Sequence, residues 1–513
     1  MDQLDRKSSM TQPNILIFMT DQQRGGTVLP GNPYKAQTPV LDRFREEATT
    51  FSQHYCPTPH CCPSRASFFT GMMPTEHGVW HNVSVGNSIT RGLKDSARPW
   101  SLDLKEAGYD MHFAGKWHVS NYEQPRDFGW QHVYPESMCH GEGKSLDEQE
   151  REACERELNY LKQYHVNAPS AERAPGEIKR IGQTPYIHYG SSDNPFLAQY
   201  FNEGDPDDPF KDKTVVHAAI DRIDTLNTED PWCMYVGTLG PHDPYLPPQV
   251  FLDLYKDVEI ELPDSFDDPM LDKPGLYRRT RDRFNQLSRE EHIEAIRHYL
   301  AFCSYEDWLF GQVLETLKAR GDYDNTMVLY LSDHGDYVGE HGLWCKGLPS
   351  FLSAYHVPAI VKLPGGQQGV IRDEFVSLCD FGPTLLEAAG VESSTDFTGK
   401  SLLPLLQGER PSDWRDALFF QSNGNETYGI QRSILTDKWR FVYNGFDYDE
   451  LYDLQKDPHQ MKNLAADPAY QPIIKELYTR IWKFGFEHEE HLVNDYIMTA
   501  LADYGQGLAL EDS

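Results

Sequence analysis

The sequence predicts an α/β protein with a large, mainly parallel central sheet flanked by helices, and a smaller α+β unit at its C-terminal end. Two observations lead to this prediction. Up to about residue 400, apolar segments rich in β-branched and aromatic residues alternate with helical segments, as in sheets whose parallel strands are joined by helices. After about residue 410, adjacent short strand patterns are followed by one helical pattern, which indicates antiparallel pairing.

Five apolar segments are predicted as strands of the central sheet. They are NILIFMT (14–20), YDMHFAG (109–115), WCMYVGTLG (232–240), TMVLYLS (326–332) and VPAIVKLPG (357–365). Helices are predicted over 38–48, 101–108, 292–320 and 381–390. Thr38 and Gly108 are expected to cap the first two helices, because threonine suits an N-cap and glycine suits the residue that ends a helix.

The domain organisation follows from where this alternation stops. We expect a large α/β domain over residues 1–410 and a C-terminal α+β subdomain with a tail over residues 411–513. Residues 135–215 are acidic and rich in turn formers, and they interrupt the alternation of strands and helices. We interpret them as an insertion on the rim of the sheet, where loops commonly shape a site.

The composition of the 513 residues excludes some partners. The chain has 47 Lys and Arg against 79 Asp and Glu, a formal charge of −32. Nucleic acid and anionic membranes need basic surface to displace their counterions, so we expect neither as a partner. No apolar run approaches the roughly 18 residues of a membrane helix, and the start MDQLDRKSSMTQPN lacks the pattern of a secretory signal. The nine scattered cysteines are typical of cytosolic proteins, so we expect a cytoplasmic location.

Polar side chains follow four of the predicted strands. They are Asp21 and Gln22, Lys116 and His118, His242, and Asp333 and His334. One such residue alone is weak evidence, because an Asp after a strand often caps a turn or helix. Ligands of open α/β sheets bind beyond the carboxyl ends of the strands, so we expect these side chains to meet at one site.

These residue types indicate an anion site built around a metal ion. Asp21, Gln22, Asp333 and His334 offer mainly oxygen ligands, which favours a hard cation such as calcium, magnesium or manganese. The imidazole favours manganese over calcium. The cationic and imidazole groups would supply positive charge and proton transfer around an anionic substrate, and they are Arg65, Lys116, His118 and His242. A tetrahedral oxyanion ester fits such a site.

The segment PHCCPSRASFFTG (59–71) is predicted as a loop entering a helix. Cys61 and Arg65 are four residues apart and therefore share one helix face. The positive end of the helix favours an anion at Cys61. A thiolate nucleophile would need a histidine base and no hard metal, so we interpret the thiol as the precursor of another group.

The segment resembles the signature of the type I sulfatases of the alkaline phosphatase superfamily, C-x-P-S-R followed by T-G. It reads Cys61-Cys62-Pro63-Ser64-Arg65 and then Thr70-Gly71. The resemblance extends over most of the chain, through the polar residues after the strands, Gly339-Glu340-His341-Gly342 with Lys346, and Asp449-Glu450-Leu451-Tyr452-Asp453-Leu454. In that family a maturation enzyme oxidises the first cysteine to formylglycine.

The resemblance implies a sulfatase that hydrolyses a sulfate ester to alcohol and inorganic sulfate through a metal-bound formylglycine gem-diol. It implies metal ligation by Asp21, Gln22, Asp333, His334 and the residue formed from Cys61, with Ca²⁺ first and Mn²⁺ as the alternative. Arg65 would stabilise the formylglycine oxyanion, and Lys116 and Lys346 would hold sulfate oxygens. His242 would protonate the leaving alcohol, and His118 would deprotonate the second hydroxyl. Asn82, just beyond the signature helix, is a candidate for contact with the substrate.

Two features of the sequence keep another activity open. Gln22 and His334 stand where many family members carry Asp and Asn. The same two residues occur in some sulfatases and also in the related phosphonate monoester hydrolases and phosphodiesterases. The Lys116-x-His118 element favours a sulfatase. A binding protein that kept only the fold would not need the whole set of cysteine, metal ligands and basic groups.

The substrate and the assembly are less specified by the sequence. We expect a small-molecule or oligosaccharide sulfate ester as substrate, because a strongly acidic protein suits highly sulfated polymers poorly. By analogy with related enzymes that have long tails, a homo-oligomer is also expected.

Overall fold

The computed structural model of the protein describes residues 12–134, 207–227, 229–285, 287–425, 427–490 and 496–510, with the single residues 148, 151, 152 and 155. The strands are β1 Asn14–Thr20, β2 Thr49–Phe51, β3 His54–Tyr55, β4 Asp110–Gly115, β5 Gln131–Tyr134, β6 Trp232–Gly237, β7 Thr326–Ser332, β8 Ala359–Lys362, β9 Val370–Arg372, β10 Val376–Ser377, β11 Ala417–Gly424, β12 Tyr428–Thr436, β13 Trp439–Asn444 and β14 Glu450–Asp453.

The α-helices of the described chain range from one turn to nearly nine turns. They are α1 Pro39–Glu46, α2 Cys61–Thr70, α3 Pro74–His77, α4 Trp100–Glu106, α5 Asp212–Thr225, α6 Gln249–Leu252, α7 Gly275–Arg281, α8 Arg289–Arg320, α9 Phe381–Ala388, α10 Leu403–Leu406, α11 Gln471–Glu487 and α12 Ile497–Ala500. None of these helices combines the length and the apolar character needed to cross a membrane.

The central sheet has eight strands in the order β5-β4-β6-β1-β7-β8-β2-β9. The pairs from β5 to β7 are all parallel, β8 is antiparallel to both of its neighbours, and β9 is parallel to β2. This confirms the predicted fold class. The middle strand β1 is buried at all seven residues, because a parallel sheet is covered by helices on both faces.

The hydrophobic core lies in two layers, one on each face of the sheet. Ile15, Ile17 and Met19 of β1 belong to the layer that contains the signature helix α2. Leu16 and Phe18 belong to the other layer, which contains the long helix α8. Successive side chains of a strand point to opposite faces, so one apolar strand contributes to both layers.

The predicted strands agree closely with the structure where the apolar run is long. The segments predicted as the first and fourth strands coincide with β1 and β7, whereas the fifth is shorter than predicted, Ala359–Lys362, between Pro358 and Pro364. The sequence does not predict the short strands β2, β3, β5, β9 and β10.

Interactions at the helix ends explain the smaller differences between the predicted and the observed helix boundaries. Ser288 and Glu291 form a capping box, so α8 begins three residues before the predicted start. Thr38 precedes α1 as predicted, but its hydroxyl accepts a hydrogen bond from Lys35 Nζ at 2.6 Å and caps no helix N–H group. Ala107 occupies the cap position of α4, and Gly108 follows it with a φ of +96°.

The C-terminal unit is a four-stranded antiparallel sheet of β11 to β14 with α11 packed on one face. Strands β12 to β14 followed by helix α11 agree with the adjacent strand patterns and the one helical pattern expected after residue 410, and β11 precedes them. Leu418, Phe420 and Leu435 on this sheet belong to the main core, so the sheet packs against the central domain. The boundary at residue 410 stays a prediction. Most of the insertion predicted over 135–215 lies outside the described residues, and its last four residues are already part of α5.

Candidate active site

The predicted site residues meet at the carboxyl ends of the central strands. Asp21 and Gln22 follow β1, Lys116 and His118 follow β4, His242 lies in the loop after β6, and Asp333 and His334 follow β7. Helix α2 brings Cys61 and Arg65 to the same place. Ligand atoms of Asp21, Cys61, Asp333 and His334 all lie within 4.8 Å of one another, and the four residues are buried.

This group of four fits a divalent cation. Two carboxylates, one imidazole and the side chain at position 61 form a compact set of donors that few proteins bury without a positive partner. Arg65 forms ion pairs with both carboxylates and Lys116 forms one with Asp21, and these two cations compensate the carboxylate charges. The donors therefore match the chemistry that the sequence predicts for a metal site.

Cys61 is the first residue of α2, and its environment favours a negative charge. Its Sγ lies 3.1 Å from His334 Nε2 and 3.9 Å from Asp21 Oδ1. Burial alone would raise the pKa of the thiol, but the charges of Lys116, Lys346 and His334 hold it well below its usual value. The position thus stabilises an anion, as the helix start predicts.

Arg65 lies one turn further along α2 and joins the two carboxylates of the group. Its Nε donates to Asp333 Oδ2 at 2.8 Å, and an Nη lies 3.5 Å from Asp21 Oδ2. The other Nη donates to Tyr235 Oη at 2.8 Å and to the Lys116 carbonyl at 3.2 Å. The guanidinium therefore fixes the position of both carboxylates.

Two lysines place further positive charge beside Cys61. Lys116 Nζ donates to Asp21 Oδ2. Lys346 Nζ donates to Gln22 Oε1 and lies 2.7 Å from His242 Nε2. Burial lowers the pKa of Lys346, but the negative charges of Cys61 and Asp243 outweigh this and raise it. Both lysines are therefore cationic and suited to hold an oxyanion.

The two histidines differ in their surroundings. His118 has a φ of +53°, and its Nε2 lies 3.3 Å from Ser84 Oγ. Burial and the charge of Lys116 lower its pKa, which keeps the ring neutral and able to accept a proton. For His242, burial and Lys346 lower the pKa, but the carboxylates of Asp243 and Asp21 raise it above the usual value. The two shifts therefore run in opposite directions, toward the neutral form of His118 and the charged form of His242.

The side chain of Asn82, which follows the signature helix in the chain, contacts the first turn of that helix. Its Oδ1 accepts the backbone N–H of Cys62 at 3.1 Å, and its own N–H donates to Asn425 Oδ1 at 2.9 Å. Contact of Asn82 with a substrate stays a prediction. The observed contacts give the residue a structural role at the helix start.

Other residues enter the site without having been predicted. Tyr235 contacts Arg65, Ser84 contacts His118, and Asp243 and Asp336 both accept hydrogen bonds from Gln22. Asp336 lies three residues after Asp333 in the same loop, which is a signal the sequence contains. Tyr235 and Ser84 come from distant segments and carry no such signal.

The fold and this group of residues define a member of the alkaline phosphatase superfamily. Residues 13–391 match the family model described as Sulfatase. Residues 339–486 match the model described as N-sulphoglucosamine sulphohydrolase, C-terminal. The chain belongs to the sulfatase family, whose members are sulfuric ester hydrolases.

Curated relatives agree with this assignment. The chain is 29% identical over 483 residues to a choline-sulfatase of Rhizobium meliloti, covering 89% of this chain and 83% of that protein. It is 28% identical over 515 residues to an arylsulfatase of Clostridium perfringens, covering 96% of this chain and 99% of that protein.

Solved structures share the fold. A protein in complex with its substrate D-glucosamine-2-N,6-O-disulfate gives a TM-score of 0.71 at 20% identity, covering 94% of this chain and 99% of that chain. The phosphonate monoester hydrolase of Agrobacterium radiobacter gives a TM-score of 0.71 at 22% identity, covering 93% of this chain and 96% of that chain.

Proposed function

We propose that this protein is a formylglycine-dependent sulfatase that hydrolyses a sulfate ester to an alcohol and inorganic sulfate. The observation that carries the proposal is the position of Cys61. It begins α2, it lies against Asp21 and His334, and the charges of Lys116 and Lys346 act on it. Oxidation of Cys61 by a maturation enzyme would place an aldehyde, and after hydration two hydroxyls, at this anion-stabilising position.

One divalent cation is proposed as cofactor, with Ca²⁺ first and Mn²⁺ as the alternative. Asp21, Gln22, Asp333, His334 and the side chain at position 61 would hold it. When bound, the cation supplies Lewis-acid stabilisation of developing negative charge.

The side chains of the chain divide the remaining work. Lys116 and Lys346 bind the sulfate oxygens, and Arg65 stabilises the oxyanion of the formylglycine diol. One hydroxyl of the diol loses its proton to solvent and attacks sulfur as the oxyanion. The bond between sulfur and the alcohol oxygen breaks, and His242 gives a proton to that departing oxygen. His118 then takes the proton of the second hydroxyl. The C–O bond to sulfate breaks, sulfate leaves and the aldehyde is restored.

A small-molecule or oligosaccharide sulfate ester is proposed as the substrate. The names of the relatives, choline-sulfatase and N-acetylglucosamine-6-O-sulfatase among them, support both classes. Hydrolysis of phosphonate monoesters or phosphodiesters is the alternative, and Gln22 and His334 are the residues that favour it.

The proposal is tested at position 61 with two variants. Cys61→Ala should abolish turnover, because no nucleophile remains. Cys61→Ser should release at most one equivalent of alcohol per protein, because a serine sulfate has no neighbouring hydroxyl to expel sulfate. The mass of the peptide that contains residue 61 should also show replacement of the thiol by an aldehyde in active wild-type protein. Continued turnover by Cys61→Ala would overturn the proposal.

A further inference from the structure

The carboxamide of Gln22 is held between two carboxylates that are not among the proposed metal ligands. Its Nε2 donates to Asp336 Oδ2 at 2.6 Å and to Asp243 Oδ1 at 3.0 Å. Its Oε1 faces the other way and accepts a hydrogen bond from Lys346 Nζ. Since a carboxylate only accepts and an ammonium only donates, this is the one orientation of the amide that satisfies all three neighbours.

The backbone of Gln22 is fixed as well. Its N–H donates to Asp333 Oδ1 at 3.1 Å, and its carbonyl accepts a hydrogen bond from Tyr299 Oη at 2.7 Å. The residue is fully buried and has a φ of +66°. The direction of the side-chain amide is therefore set by its carboxylate partners.

Asp336 is fully buried, and each oxygen of its carboxylate accepts two hydrogen bonds. Oδ1 accepts the backbone N–H groups of Val338 at 2.8 Å and Cys345 at 3.0 Å. Oδ2 accepts Gln22 Nε2 and, at 2.5 Å, Tyr245 Oη. Four donors converge on this one side chain, so an amide in its place would present an N–H group to two of them.

We propose that Asp336, together with Asp243, is a positioning residue that turns the Gln22 carboxamide oxygen toward Lys346 and the proposed cation. The inference rests on the proposed function only in taking Gln22 as a cation ligand. It follows that position 22 of this chain requires an amide. A carboxylate there would lie within hydrogen-bond distance of two further carboxylates, and this repulsion would turn it away from its place.

The test compares Gln22→Glu, Asp336→Asn and the double variant with wild-type protein. Metal-depleted protein is titrated with Mn²⁺ and, separately, Ca²⁺ by calorimetry. By charge alone, Gln22→Glu should bind either cation more tightly. The proposal predicts instead that each single variant binds about tenfold more weakly, a typical effect of losing the partner that orients a ligand.

The double variant should recover most of the loss. The amide introduced at position 336 can donate an N–H to the carboxylate introduced at position 22, so that carboxylate regains a partner and its direction. Tyr245→Phe is the matched control, because it removes one donor from Asp336 Oδ2 and leaves the Gln22 hydrogen bond in place. Its affinity for the cation should stay within about twofold of wild type. Tighter binding by Gln22→Glu, or additive losses in the double variant, would overturn the proposal.

A second readout separates this proposal from the proposed function. The melting temperature of the metal-free protein should fall in each single variant and recover in the double variant, since the contact between positions 22 and 336 exists without the cation. Absence of cation binding by wild-type protein would count against the proposed function. Additive changes in the melting temperatures would count against the positioning role of Asp336.

Discussion

Arg65 Nε donates to Asp333 Oδ2 at 2.8 Å, and neither side chain has any exposed surface. This ion pair joins the signature helix α2 to the end of strand β7. Removing one partner of a fully buried pair leaves the other charge without compensation, which costs more than an exposed pair does. The signature arginine therefore has a structural role in addition to its proposed role in catalysis.

Replacing Arg65 with methionine should destabilise the protein by about 3–5 kcal/mol, because Asp333 would remain buried and lose its main partner. The free energy of unfolding in urea measures this effect. Tyr235→Phe is the control, since it removes one hydrogen bond to the same guanidinium and should cost about 2 kcal/mol. Equal losses in the two variants would contradict the account of the ion pair.

The proposed roles of His242 and His118 predict different responses to the leaving group. His242→Gln should lower kcat/KM about 100-fold or more for an alkyl sulfate and much less for nitrophenyl sulfate, because nitrophenolate leaves without protonation. His118→Gln should lower kcat equally for the two substrates, since the step in which His118 acts follows loss of the alcohol. Steady-state kinetics with matched sulfate esters measure both effects. Equal sensitivity of His242→Gln to the two leaving groups would remove the acid role.

Asn82 allows a structural role and a substrate-binding role to be separated. Asn82→Ala should lower stability by about 1 kcal/mol, because the N–H of Cys62 at the helix start loses its acceptor. Asn82→Asp keeps an acceptor oxygen and should restore stability. If the Nδ2 group also contacts substrate, KM should be higher than in wild type in both Asn82→Ala and Asn82→Asp. A KM equal to wild type in both variants would end the prediction of substrate contact.

Glu306 predicts a pH dependence of stability. Its side chain is fully buried in α8. Burial, reinforced by the charge of Asp212, raises the pKa of Glu306 well above the usual value of 4.5. The native state therefore holds a proton that the unfolded chain releases above pH 4.5. Native stability is accordingly lost as the pH rises from 4.5 toward the native pKa, by up to about 1.4 kcal/mol per pH unit.

Glu306→Gln removes this titration and keeps the shape of the side chain. The melting temperature of wild type relative to Glu306→Gln should fall as the pH rises above about 5. Parallel curves for the two proteins over this range would show that Glu306 is already ionised in the native state.

The parts of the fold that could be predicted are those with a long periodic signal. Strands β1 and β7 are covered on both faces, so each appears in the sequence as a continuous, mainly apolar run of seven residues that identifies it. Strands β3 and β10 have two residues each and pair with one another, so no pattern along the chain distinguishes them from loops. Thr38 holds the predicted cap position of α1, but its hydroxyl accepts from Lys35, and the carboxylate of Asp307 accepts the helix N–H groups of Val40 and Leu41, a long-range contact that local patterns do not encode.

In the site, too, some residues could be predicted from a local sequence signal and others could not. Asp21, Lys116 and Asp333 could be placed together because each follows a strand of one sheet, and the topology of parallel sheets gathers such residues. Asp336 and Asp243 could not be assigned, because their role depends on the direction of one amide group in the folded protein. Tyr235 and Ser84 meet Arg65 and His118 through long-range contacts that local patterns do not encode.

The ratio of kcat/KM for nitrophenyl sulfate to kcat/KM for a matched nitrophenyl phosphonate monoester tests the central claim most directly. It should be measured on metal-replete protein that carries the aldehyde at position 61. A sulfatase predicts a ratio far above one. A ratio far below one would contradict the sulfatase account, and would mean that Gln22 and His334 report the activity and the Lys116-x-His118 element does not.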